Sequence, residues 1–263
     1  MSEAEDQPGK TSPRPGHAQA GGDRSGDRPG ESAIALAEQL ASAFREQLQR
    51  ALGVELRDED GATALAYVDH YLAMLHDETR EPIVSLVAAN AGAWFGELIR
   101  REIGGTWIGD GVDPRRLRLL LEPQFVHFSP VDMASEAILS GSLSSSDRRS
   151  RPARRPEAEY GRSPTSVSIE PGDPRLPEGA SLDSSYHLRK RPLPAFEHEP
   201  SDHDWVLDRL AESPPVPEDQ FFSLTGRFET LQLILELLAS RELERGREPT
   251  RYHLNDYIEA LTE

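Results

Sequence analysis

The side chains that could carry chemistry in this chain are few and lie in separate stretches. Glu97, Arg100 and Arg101 crowd the string GELIRRE. A carboxylate beside two guanidiniums can hold an anion or orient a substrate. Glu97 and Arg101 also stand at i and i+4, in the order that favours an ion pair on a helix. His127 is the candidate general base for that group, since imidazole titrates near neutrality. Glu97, Arg100 and His127 are thus the set a small hydrolase- or transferase-like enzyme would use. The plainer reading is an exposed helix pair of little energetic weight and a histidine satisfied within a sheet.

The densest ligand-like string runs from Glu197 to Asp204, EHEPSDHD. His198 and His203 are the imidazoles that zinc would need there. Pro200 breaks the string, however, and its spacing matches no metal motif, so no metal and no cofactor are expected. His70 and His76 are six apart and point away from each other on a helix. Arg148, Arg149, Arg151, Arg154, Arg155 and Arg162 form a basic island in an acidic chain. The island suits nucleic acid, an acidic partner or the chain's own acidic surface, and Ser150 and Ser163 are places where phosphorylation would retune it. Arg101 and Trp107 join Arg148, Arg149, Arg151, Arg154 and Arg155 as binding candidates. There is no Gly-x-Ser-x-Gly elbow, phosphate-binding glycine loop or His-Glu-x-x-His.

The element that must position Glu97 is a helix from Pro82 to about Ile103. Ile83, Leu86, Val87, Asn90, Trp94, Leu98 and Ile99 recur at steps of three and four, an apolar face wide enough for a core. Ala88, Gly92 and Gly96 form a second row of small residues. An interior glycine costs about 1 kcal/mol against alanine, so the row predicts close approach of another backbone. Gly104 ends the helix. Beyond it the period changes to two. Trp107–Ile108, Leu117–Leu121 and Phe125–Phe128 read as three strands of an antiparallel meander, with Leu120 the exception to the alternation. Ser129-Pro130-Val131-Asp132 starts a helix with a capping box, which Gly141 should end.

The string GAWFGELIRREIGGTW resembles the core of uncharacterised bacterial domain families that carry a Gly-Glu-(x-x)-Arg helix followed by Gly-Gly-x-Trp. FFSLTGRFETLQLILELL is similar to their C-terminal helix. The resemblance covers about half the chain, in separate pieces. It implies a shared fold and brings no activity with it.

Composition sets the remaining bounds. With 29 Lys+Arg against 46 Asp+Glu the formal charge is −17, which argues against a general nucleic-acid binder. No cysteine is present, so thiol catalysis and disulfides are excluded. No run reaches the ~18 apolar residues of a membrane helix. A cytoplasmic protein that binds another protein is the expectation. Residues 1–31 and 141–200 carry too little apolar surface to offset ordering entropy and read as a disordered tail and a disordered insert. Residues 32–140 and 201–263 should build one α+β domain across that insert. Helix signals in its second part include the Ser201 cap, the stripe Leu224, Phe228, Leu231, Leu235, Leu238, and a last helix bearing Leu254, Tyr257, Ile258 and Leu261. The function expected of this fold is a non-enzymatic binding or regulatory module, with the Glu/Arg/His enzyme as the alternative.

Overall fold

The computed structural model describes residues 29–147, 157–158 and 182–262. The first helix, α1 (Pro29–Leu52), buries Ala33, Ala37, Ala41, Phe44 and Leu48 in the stripe its periodicity predicts. It starts three residues before the expected Ser32 cap and takes in residues assigned to the tail. A 3-10 turn (Asp58–Ala64) leads into α2 (Leu65–Ala73), and α3 (Glu81–Glu102) follows. Helix α3 is buried along most of its circumference, from Val84 to Ile99. Its composition alone would allow a membrane span, but 72% of its apolar window is buried inside the fold. Leu86, assigned to its core face, is 58% exposed. The buried face is centred instead on the small-residue row, because α1 and α4 (Pro130–Asp147) close on α3 from two sides.

The row explains that closeness. A Cβ added at Gly92 would lie 2.5 Å from the Val131 Cα and 2.6 Å from the Pro130 carbonyl oxygen. One added at Gly96 would lie 2.2 Å from the Trp107 ring. The two glycines therefore seat the first turn of α4 and the indole directly on the α3 backbone. Gly104, at φ 99°, turns the chain into the sheet.

The sheet has four antiparallel strands, one more than the meander expected: β1 (Gly105–Ile108), β2 (Arg118–Leu121), β3 (Val126–Phe128) and β5 (His187–Leu188), in the order β1-β2-β3-β5. A separate two-stranded ladder pairs β4 (Glu157–Ala158) with β6 (Val216–Pro217). The register sets Trp107 opposite Leu119 and Leu119 opposite Phe128, while Thr106, Leu120, His127 and His187 line up on the other face. The inner face packs into the main core. That core runs from Ala33 through Trp107 and Leu188 to Leu238, so chain on both sides of the insert contributes to it. The outer face has its own small cluster, Leu120 and Phe125 under Tyr257 of α8 (Leu254–Thr262). Leu120 breaks the sequence alternation because both faces of the sheet are covered at that point.

The described part of the insert differs from expectation at both ends. Helix α4 continues past Gly141 to Asp147, and residues 182–200 are structured, with Ser184 and Leu188 buried. A short edge strand such as β5 has no apolar run for composition to reveal; its polar residues are ordered by partners far away in sequence. The rest of the segment lies outside the described residues, as does the tail before Pro29.

The C-terminal helices are α5 (Asp202–Ala211), α6 (Glu218–Phe221), α7 (Leu224–Glu244) and α8. Ser201 caps α5 by accepting from the Asp204 N–H at 3.1 Å. Asp69 of α2 reaches the start of α7 and accepts from the N–H groups of Leu224 at 2.7 Å and Thr225 at 3.0 Å, where the helix dipole favours a carboxylate.

Candidate functional site on the outer face of the sheet

Glu97 does not face a pocket as a free carboxylate. It accepts from Arg100 Nε at 3.0 Å and Nη2 at 2.8 Å, and from the Trp107 indole N–H at 2.6 Å. The expected ion pair with Arg101 at i+4 is replaced by one with Arg100 at i+3, and Arg101 lies 3.9 Å from Glu102. Trp107 is fully buried, with no surface to offer a partner. Its indole N–H needs an acceptor inside the fold, and Glu97 is that acceptor.

His127 is on the other side of the sheet. Trp107, Leu119 and Phe128 share the inner face, which α3 covers, and His127 alternates with Phe128. Glu97 and Arg100 are therefore separated from His127 by a layer of strands, and the trio does not assemble.

The outer face gathers a different set. His127 and His187 sit directly across from each other on β3 and β5, rings stacked with centroids 4.8 Å apart and 16° between planes. His187 Nε2 is 2.9 Å from Asp183 Oδ2. Asp132, in the first turn of α4, accepts from the Asp183 N–H at 3.2 Å and lies 3.9 Å from Arg118 of β2. Its own N–H is 3.3 Å from Ser129 Oγ, the cap its spacing predicts. Arg118 also donates to the carbonyls of Arg115 and Leu117 and to Ser129 Oγ. At the other end Arg189 lies over the Phe125 ring at 4.7 Å, and Phe125 stacks on Tyr257 at 4.3 Å.

This setting separates the titrations of two groups. Burial, with His187 and Arg118 nearby, holds the His127 imidazole down at about 4. Burial pushes the Asp132 carboxyl up to about 6, opposed by Arg118 and by its hydrogen bonds. Asp183 is lowered, chiefly by its hydrogen bond to His187.

Behind the face lies a buried ion pair that sequence reading missed. Arg227 of α7 and Glu136 of α4 meet with both side chains 2% exposed, and Ser184 donates to the same Glu136 oxygen. Arg227 Nη2 is 3.3 Å from Ser184 Oγ, and its guanidinium packs over Phe221 and Phe222. The Tyr186 hydroxyl donates to the Arg227 carbonyl at 2.7 Å. The segment 182–188 is thereby bolted to two helices. One signal was available: Ser129, Asp132, Glu136 and Ser140 step along α4 at three, four and four as a polar stripe beside Met133, Ala134, Ala137 and Ile138. All four are buried.

The Glu197–Asp204 string has a structural role. Glu199 and Asp202 hold Arg245 at 2.8 and 3.2 Å, Asp202 holds Arg241 at 2.7 Å, and Arg241 Nη2 takes the Pro200 carbonyl at 2.6 Å. His203 Nδ1 is 3.2 Å from Asp204, and His198 takes no part in the network. Among the described residues no group of three metal-ligating side chains converges. Arg148, Arg149, Arg151, Arg154, Arg155 and Arg162 lie outside the described residues.

Fold and site together define the class: an α+β domain whose four-stranded antiparallel sheet is covered by helices on its inner face and, in part, by α8 on its outer one. Comparison of the chain with protein-family models, curated proteins and solved structures finds no match.

Proposed function

We propose that this chain is a non-enzymatic protein-binding or regulatory module. The observation that carries the reading is the use made of its reactive groups. Asp69, Glu97, Asp132, Glu136, Glu199 and Asp202 each bind a donor from another element or from the next turn, so they serve cohesion. Apolar side chains are left facing water. Tyr67 and Met74 are 52% and 59% exposed. Seven residues apart, they project from one side of α2 and its final turn, the kind of aromatic and thioether contact enriched in interfaces. The net charge of −17 favours a basic partner through long-range attraction.

The test is photocrosslinking in cells of the source organism, with the reactive side chain at Met74 and a control at exposed Glu236 of α7. A discrete adduct at Met74, absent from the control and lost on Tyr67→Glu, is the expected result. Turnover of ester or phosphate substrates by the purified chain, falling in a folded His127→Ala variant, would overturn the reading.

A further inference from the structure

We infer that the outer face of α2 receives a short amphipathic helix of a partner protein, apolar along its middle and basic towards its ends. The inference rests on the binding reading above and names the partner's chemistry. Ala66, Tyr67, His70, Ala73 and Met74 are all exposed and recur at steps of three and four, so they share one side of the helix. None of them is an acid, a lysine or an arginine, in a chain of which 29% is charged. Tyr67 and Met74 stand as a ridge, 52% and 59% exposed, and Ala66 and Ala73 lie beside it as a shallow strip. Large anchors next to small residues at this spacing suit a helix laid across another helix.

Size and charge choose the occupant. Half a tyrosine is on the order of 100 Å² and half a methionine no more, so the face falls well short of the ~800 Å² that each partner of a stable complex buries. A second copy of the chain would gain too little here to offset the repulsion between two bodies of net charge −17. A short helix matches α2, which is 9 residues long, in a complex of the transient kind. Carboxylates stand at both ends of the face and on its flank: Asp60 ahead of α2, Asp69 on it, and Asp77 about one turn beyond Met74. Asp60 and Asp69 accept from backbone N–H groups, and none of the three is ion-paired among the described residues. The nearest arginines in sequence already lie beside other carboxylates, Arg57 by Glu55 at 3.7 Å and Arg80 by Glu78 at 2.6 Å. An apolar face with unmatched negative charge at its ends fits a helix with leucine-like side chains in its middle and lysine or arginine towards its ends.

The experiment follows the methionine methyl groups of the full chain by NMR. The probe is a synthetic leucine–lysine amphipathic peptide of about four helical turns, compared with a scrambled peptide of the same composition and with a leucine–glutamate one. The methionines are Met1, Met74 and Met133, and the fully buried Met133 serves as internal control. The expected result is a saturable shift of the Met74 methyl, binding about tenfold weaker for the scrambled peptide, and no saturable shift with the glutamate peptide. Tyr67→Ala should weaken binding several-fold, and Asp77→Asn should do so at low salt and less at high salt. Both should leave the unfolding midpoint unchanged, since both side chains are exposed. A Met74 methyl that stays still, or that moves equally with all three peptides, would overturn the inference. So would a concentration-dependent dimer dissolved by Tyr67→Glu, which would make a second copy the occupant. So would binding that appears only once Arg148, Arg149, Arg151, Arg154 and Arg155 are replaced by glutamine, which would make the chain's own basic segment the occupant. A Met74 photocrosslink in cells beside a silent peptide titration would remove this inference and leave the binding reading standing; failure of both would remove both.

Discussion

Replacing Gly96 by alanine tests the packing of the fold at its tightest point. Helix propensity alone should stabilise the variant by about 1 kcal/mol. The structure opposes that gain. The added Cβ would lie 2.2 and 2.3 Å from two Trp107 ring atoms and 3.2 Å from Pro130 Cγ, against about 3.5–4.0 Å for a comfortable carbon contact. The indole cannot retreat freely, because its N–H is held by Glu97 at 2.6 Å and its other face fills the core. A hydrogen bond to a charged group contributes about 1.5–3 kcal/mol, and overpacking typically costs about 1–3 kcal/mol. Overpacking less the propensity gain leaves a net destabilisation of about 0–2 kcal/mol, which becomes about 1.5–5 kcal/mol where the ring gives way by breaking its hydrogen bond. Gly92→Ala should cost more, since its clash is with α4 backbone rather than a ring. Urea unfolding followed by tryptophan fluorescence measures both, with an unchanged m-value confirming that stability alone moved. A Gly96→Ala protein more stable than the parent would refute the reasoning and place the row against water.

Other outcomes follow from the same contacts. Arg227→Leu leaves Glu136 buried without its guanidinium and should cost about 3–5 kcal/mol, whereas pairing it with Glu136→Leu should recover much of that in a double-mutant cycle. Tyr257→Phe should cost about 1–3 kcal/mol, because its hydroxyl accepts from the Val126 N–H at 3.0 Å and lies 2.7 Å from the Leu121 carbonyl; chemical denaturation decides. A Gly-Ser linker in place of residues 183–188 should destabilise strongly by the same assay, as it removes β5 and the Ser184 contact. For pH, His127 is depressed to about 4, so its contribution is full above its ordinary value near 6.5 and is lost as pH falls towards 4. Asp132 is raised to about 6, so its contribution is full below its ordinary value of 3.8 and is lost as pH rises through 6. Between 4 and 6 the two slopes oppose each other. In His127→Phe stability should therefore rise as pH falls across that window, and in Asp132→Asn it should fall; urea midpoints against pH read the sign directly.

Much of the scaffold was legible because local rules and tertiary demands agree. The stripe of α1 repeats every three or four residues, and the Ser201 cap and the Ser129/Asp132 capping spacing are satisfied within a few residues of themselves, so short-range pattern suffices to see them. Gly92 and Gly96 announced themselves by costing helix propensity with no turn to justify them. The candidate site was less legible. Glu97 and His127 are thirty positions apart, and nothing in their spacing says that a layer of strands separates them; the strand register decides it, since one step along β3 exchanges inner for outer face. Residues 182–188 resembled the polar insert around them because their burial depends on Glu136, Arg227 and His127, which are remote along the chain.

By itself, then, the amino-acid order determined which segments are helical, where the chain turns, and which row of α3 must meet another backbone, because those properties depend on side-chain period and on the cost of glycine. The tertiary structure alone decided which polar groups are spent on cohesion and which are left at the surface. A charged side chain gains or loses its partners through contacts that close over distances of tens of residues, and neither composition nor spacing carries that information.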